Sequence, residues 1–142
     1  MKVLVINGPN LNLLGSRKPD VYGNKNLDQV NDSIRATLPE IDFDFFQSNH
    51  EGELIDRIQD ADGKYEGIVL NPGAFTHYSF AIRDAIEAVE IPIIEVHISN
   101  VHSREDFRRQ SVVADVCCGT ISGFGVHGYI LAVKALQYEM KA

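Results

Sequence analysis

Five short, mostly apolar runs are spaced along the chain, with amphipathic stretches between them. Val3–Ile6, Ile41–Phe46, Gly67–Leu70, Ile91–Ile98 and Ala114–Cys118 have the length and composition of buried strands. In the intervals, apolar positions recur three and four apart, which puts them on one face of a helix. Leu27, Val30, Ile34 and Leu38 form such a face; so do Leu54, Ile55 and Ile58, and then Ile82, Ala85, Ile86 and Val89. A last helical pattern starts at about Val126 and carries Ile130, Val133 and either Ala135 or Leu136. Asn26 and Ser79 stand just before two of these helices, as residues whose side chains accept from the first free backbone N–H groups. Alternating strands and helices predict an α/β sandwich around a parallel sheet.

Five strands in this order suit the flavodoxin-like arrangement, a three-layer sandwich with a five-stranded parallel sheet of order 2-1-3-4-5. In such sheets ligands lie beyond the carboxyl ends of the strands, where the winding reverses. This chain is unusually polar there. Residues 6 to 23 run from the first strand towards the helix at Leu27 and carry Asn7, Asn10, Asn12, Arg17 and Tyr22. Connections of that length usually act as lids or binding loops. Leu70-Asn71-Pro72-Gly73-Ala74 and Glu95-Val96-His97-Ile98-Ser99-Asn100 are equally polar strand ends. Strands one, three and four are neighbours in this order, so the three segments would line one crevice.

At 142 residues, without repeat or linker, the chain reads as one catalytic domain over residues 1–142. Hydrophobic residues make up 44% and charged residues 23%, as in an ordinary soluble domain. The net charge of −7 is dispersed, which argues against nucleic acid as a partner. No apolar run approaches the roughly 20 residues a membrane helix needs. The first residues have too short an apolar stretch for a signal peptide and read as a strand. The two cysteines, Cys117 and Cys118, are adjacent; strand neighbours point to opposite faces, so they are poorly placed for a disulfide. Reduced thiols in a cytoplasmic protein are the simplest reading.

Several residues offer chemistry. A tyrosine hydroxyl is a poor base at neutral pH, and making it competent near pH 7 takes about 4 kcal/mol of preferential stabilisation of the phenolate. One cation about 4 Å away contributes roughly that much at an effective dielectric near 20. Arg17 stands five residues before Tyr22 in the same loop, and a closing lid would strengthen the effect. A surface loop with an incidental aromatic is the competing reading. Glu95 and His97 share a strand face, where a carboxylate fixes a histidine's tautomer and makes it hold its proton more tightly. A satisfied histidine at a strand end is equally compatible with that pattern, and a metal site of Glu95, His97 and His102 matches no strong ligand spacing. Asn71 could bond a substrate, with Gly73 allowing close backbone approach, or the Pro-Gly pair could simply make a turn. Gly123-Phe124-Gly125-Val126-His127-Gly128 matches the dinucleotide fingerprint by letter, yet follows the last strand instead of the first, so a tight strand-to-helix turn explains it better. Of Arg108 and Arg109, one would contact an anionic substrate while the other is solvated.

The opening Asn7-Gly8-Pro9-Asn10-Leu11-Asn12, the segment Arg17–Gly23, Asn71–Ala74 with His77, Arg83-Asp84 and Glu95–Asn100 together resemble the type II 3-dehydroquinate dehydratases over nearly the whole chain. The resemblance implies dehydration of 3-dehydroquinate to 3-dehydroshikimate in the shikimate route to aromatic compounds, by trans-elimination through an enolate. It assigns Tyr22 as base, Arg17 as the cation that holds it as phenolate, and Asn10 as the holder of a water donating to the enolate oxygen. His97, supported by Glu95, would be the acid. Asn71, His77, Ile98, Ser99 and Arg108 would bind substrate, joined by Asp84 from a neighbouring subunit. It further implies no metal or organic cofactor and a homo-oligomeric dodecamer built from trimers. Arg109-Gln110 departs from the family pattern, which has two histidines after Phe-Arg, and Cys117-Cys118 replaces small residues.

The chemistry is consistent with that resemblance. Proton removal beside a ketone needs a base, a stabilised enolate and an acid for the departing hydroxide. The six lysines include none at the carboxyl end of a core strand, which disfavours a Schiff base. A phosphoacceptor receiver module would need an aspartate where Asn71 stands and an acidic pair at Asn7-Gly8. A flavin-binding module would need a hydroxyl-rich phosphate loop after strand one, which this chain lacks.

Overall fold

The computed structural model describes residues 1–16 and 18–141. Five parallel strands, β1 (Lys2–Asn7), β2 (Asp42–Gln47), β3 (Gly67–Asn71), β4 (Ile93–His97) and β5 (Gly119–Ser122), form one sheet of order β2-β1-β3-β4-β5. This is the expected flavodoxin-like topology. Helices α2 (Leu27–Thr37), α3 (Glu51–Ala61), α4 (Phe80–Glu87) and α5 (His127–Lys141) follow the predicted periodicities, and a short α1 (Pro19–Tyr22) lies within the long first loop.

Alternation along the strands divides the core in two. Val3, Val5, Val69, Ile94 and Val96 face α2 and α5, whose Val30, Ile34, Tyr129, Val133 and Leu136 are buried against them. Leu4, Ile6, Ile68, Leu70 and Ile93 face Leu54, Ile58, Ile82 and Ile86 of α3 and α4. Parallel strands covered on both sides must be apolar on both sides, which is why β1 and β3 read as continuous apolar runs.

Both expected caps are present. Asn26 accepts from Gln29 N at 2.9 Å while the Gln29 side chain accepts from Asn26 N at 2.9 Å, a reciprocal capping box that starts α2. Ser79 Oγ accepts from Ile82 N at 3.0 Å and donates to Glu51 Oε2 at 2.5 Å, which ties the starts of α3 and α4 together.

The last strand is displaced from its expected place. Ala114–Val116 is a 3₁₀ turn, and the strand that pairs with β4 is Gly119–Ser122, in register Ile94↔Gly119 to His97↔Ser122. An edge strand is only half covered and needs no continuous apolar run, so Gly-Thr-Ile-Ser carries little strand signal. The apolar signal of the earlier run belongs to Val116 and Cys117, which pack half-buried against the α3/α4 core beside the buried Val113. Strand β4 is also shorter than its apolar run, because Pro92 has no N–H to give a ladder.

Candidate active site

Parallel register brings the polar strand ends to one level. Asn7 pairs with Asn71 across β1 and β3, and Glu95 lies opposite Leu70 one strand further. Gly8 at the end of β1 donates to Asn71 O at 2.7 Å, so closely that a side chain on residue 8 would meet Pro72 O at 2.6 Å. That contact requires glycine. Gly123 and Gly125, with φ of 96° and 61°, turn the chain from β5 into α5, as the turn reading of that glycine run requires.

A cleft of about 250 Å³ opens at this end of the sheet. Eight of the expected site residues line it: Asn10, Tyr22, Asn71, His77, His97, Ile98, Ser99 and Arg108. Glu95 lies beneath His97 and is fully buried. Asp84 is exposed on α4 and does not line the cleft of its own chain. Arg17 lies outside the described residues. Glu95, His97 and His102 do not assemble the metal site considered as an alternative, for no cluster of three such ligands forms among the described residues.

A buried carboxylate is stable only with full hydrogen bonding. Glu95 receives His97 Nε2 at 2.6 Å, Ser111 Oγ at 3.0 Å and, more weakly, Thr120 Oγ1 at 3.4 Å; Thr76 Oγ1 donates to it as well. Ser111 Oγ accepts from the N–H groups of Val113 and Ala114, which leaves its own proton for Glu95. Burial pushes the Glu95 carboxyl up, but the hydrogen bond and charge of His97, with the Thr76 and Ser111 hydroxyls, outweigh it and hold the group below its ordinary range. Glu95 is therefore an anion at neutral pH. With Nε2 given to this anion, Nδ1 is the remaining nitrogen of His97.

His77 is set differently. Its Nδ1 lies 2.7 Å from the carbonyl of Gln110, which can only accept, so Nδ1 carries the proton. Burial lowers the His77 pKa, the Gln110 carbonyl opposes the shift, and the charges of His97 and Arg108 add to the lowering. His77 is thus neutral, with Nε2 as an acceptor. Because the contact to residue 110 is through its backbone, the departure to glutamine there leaves it intact.

One cation of the site was not read from the sequence. Arg104 Nη1 donates to Tyr22 Oη at 2.7 Å and to Ser99 Oγ at 3.2 Å. Its guanidinium carbon lies 5.3 Å from the Tyr22 ring centre, but donation to the hydroxyl oxygen is the contact that matters for chemistry, since it sets a positive charge against that oxygen. Glu105 stands between Arg104 and Arg108, 3.9 Å and 3.2 Å away, and holds both arginines on the same loop. The cleft therefore joins a cation-supported phenol, a carboxylate-supported imidazole and two arginines that suit an anionic ligand.

The sequence profile described as "Dehydroquinase class II" matches residues 1–137. The chain belongs to the class II dehydroquinases. A 3-dehydroquinate dehydratase from Caldicellulosiruptor saccharolyticus is 58% identical over 139 residues, covering 96% of this chain and 96% of its own. Another from Pelodictyon phaeoclathratiforme is 54% identical over 138 residues, covering 96% and 91%. The crystal structure of the type II dehydroquinase from Butyrivibrio crossotus superposes with a TM-score of 0.94 at 52% identity, covering 96% of this chain and 97% of that one. This dehydroquinase is accordingly a lyase that dehydrates 3-dehydroquinate, a step of the shikimate pathway.

Proposed function

We propose that the dehydroquinase works by trans-elimination through an enolate, with Tyr22 as base and His97 as acid. The Tyr22 phenolate takes the proton from the carbon beside the ketone, and the released electron pair forms the enolate. The enolate then expels the tertiary hydroxyl, which takes the His97 proton and leaves as water, giving 3-dehydroshikimate. Tyr22 ends protonated and His97 neutral, so one proton returns between them through solvent before the next turnover. General acid–base steps of this kind are each worth about 10² to 10⁴ in rate.

The observation that carries this reading is the 2.7 Å donation from Arg104 to the Tyr22 hydroxyl in the cleft that His97 also lines. Arg17 is assigned the same electrostatic task from the lid. Asn10 holds the water that donates to the enolate oxygen, an oxyanion-hole role. Asn71, His77, Ile98, Ser99 and Arg108 bind the substrate hydroxyls and carboxylate, with His77 Nε2 accepting from a hydroxyl. Asp84, exposed on α4 and away from its own cleft, reaches a neighbour's site in a dodecamer built from trimers. That assembly works in the cytoplasm, a reading supported by the free thiols Cys117 and Cys118.

No lysine lines the cleft among the described residues, which supports proton transfer without a Schiff base. The test is to follow the ultraviolet absorbance of the enone product, before and after treating the enzyme with borohydride in the presence of substrate. Activity that survives treatment supports the proposal, whereas its loss would indicate an imine and overturn it. Sedimentation as a species of twelve chains would support the assembly; a monomer with full activity would refute the role of Asp84.

A further inference from the structure

Tyr129 is the largest fully buried side chain among the described residues and lies on α5, outside the cleft. Its hydroxyl nevertheless sits among the strand ends that build the site. Oη receives Asn71 Nδ2 at 3.0 Å and donates to Asn7 Oδ1 at 2.5 Å, and both asparagines are buried. Asn71 Oδ1 accepts from Gly73 N at 3.1 Å.

The direction of every bond in this chain follows from one group. A backbone N–H can only donate, so Gly73 turns the Asn71 carbonyl towards itself. The Asn71 amino group must then face Tyr129, which has to accept there and send its own proton to Asn7. Burial pushes the Tyr129 hydroxyl pKa up, although the Asn71 bond opposes this, so the proton stays on the oxygen. With its carbonyl held by Gly73 and one N–H given to Tyr129, Asn71, which lines the cleft, keeps one further N–H to donate.

We propose that Tyr129 is a positioning residue for the dehydratase reaction, locking the Asn71 amide so that it meets the substrate as a donor and never as an acceptor. The inference rests on the reading of Asn71 as a substrate contact. It also sets a specificity rule: the group of the substrate against Asn71 is an oxygen acceptor, a hydroxyl or carboxylate. A flipped amide would turn its carbonyl on an oxygen-rich anion and repel it.

A double-mutant cycle decides the matter, because sites that act through one another are not additive. The ratio kcat/KM is measured for the wild type, Tyr129→Phe, Asn71→Ala and the double variant, with thermal melting to confirm folding. Tyr129→Phe is expected to lower kcat/KM about tenfold, the effect of one net hydrogen bond. In the Asn71→Ala background the same change should have no further effect. A tenfold loss in both backgrounds would mean that Tyr129 supports the fold generally, and would overturn the inference while leaving Asn71 as a contact. Wild-type activity in Asn71→Ala would overturn the contact and the inference together. Should Tyr129→Phe fail to fold, Asn7→Leu removes the acceptor of the Tyr129 proton and frees that proton to oppose the Asn71 amino group. It should give a similar loss that likewise vanishes without Asn71, and an additive loss would again overturn the inference.

Discussion

Replacing Arg104 with methionine keeps the apolar stem and removes the charge against Tyr22. The guanidinium nitrogen lies 2.7 Å from the hydroxyl oxygen, which places the centres of charge about 4 Å apart once the phenolate forms. At an effective dielectric near 20 that attraction is about 4 kcal/mol. The Arg104 side chain is only 11% exposed, so solvent screens it little, but Glu105 stands 3.9 Å away and takes part of its field. Sharing of that kind halves the figure to about 2 kcal/mol at the low end. A loss of 2 to 4 kcal/mol corresponds to a fall in kcat of roughly thirtyfold to a thousandfold at neutral pH. Steady-state enone formation at neutral pH measures the loss, and a melting curve checks that the variant is folded. A folded Arg104→Met enzyme within about threefold of wild type would refute the electrostatic argument.

Other outcomes follow from the same geometry. The Glu95 carboxyl is held below its ordinary value of 4.5, so its ionised form contributes stability fully above that pH and loses it as pH falls through the lowered folded value. Denaturant titrations should therefore show wild type and Glu95→Gln converging on the acid side; a gap independent of pH would contradict the charged state assigned to Glu95. His77→Gln should raise KM about tenfold, the worth of one net hydrogen bond, with a smaller effect on kcat, and a selective loss of kcat would remove His77 from the binding set. Burial pushes the Cys117 thiol up to about 12, while Cys118 is exposed. Alkylation near neutral pH, read by mass spectrometry, should label Cys118 first, and equal labelling would contradict the burial of Cys117.

Most of the fold was legible because a doubly covered parallel sheet forces whole strands to be apolar. Val3–Ile6 and Gly67–Leu70 have no exposed face and could be read directly. Gly119–Ser122 could not, since an edge strand answers to one neighbour only, and the apolar residue near it, Val113, serves the layer below. The site was legible where its residues sit at strand ends, as His97 and Asn71 do. It was hidden where side chains meet across the fold. Arg104 reaches Tyr22 over 82 positions, and Tyr129 reaches Asn7 over 122. Neither spacing leaves a periodic trace. The nearest signal for Arg104 was its place five residues after Ser99, in a loop where the eye goes first to Arg108 and Arg109. Ser111 gives no local sign that two backbone N–H groups aim its proton at Glu95.

In the proposed reaction the Tyr22 oxygen removes the substrate proton. The direct measurement is turnover by Tyr22→Phe, followed through enone absorbance, with substrate binding measured separately by calorimetry. In this variant kcat should fall by about 10² to 10⁴ while affinity changes little, because the lost oxygen works in proton transfer. A phenylalanine enzyme that keeps most of its turnover would contradict it, and the base would have to be sought elsewhere in the cleft.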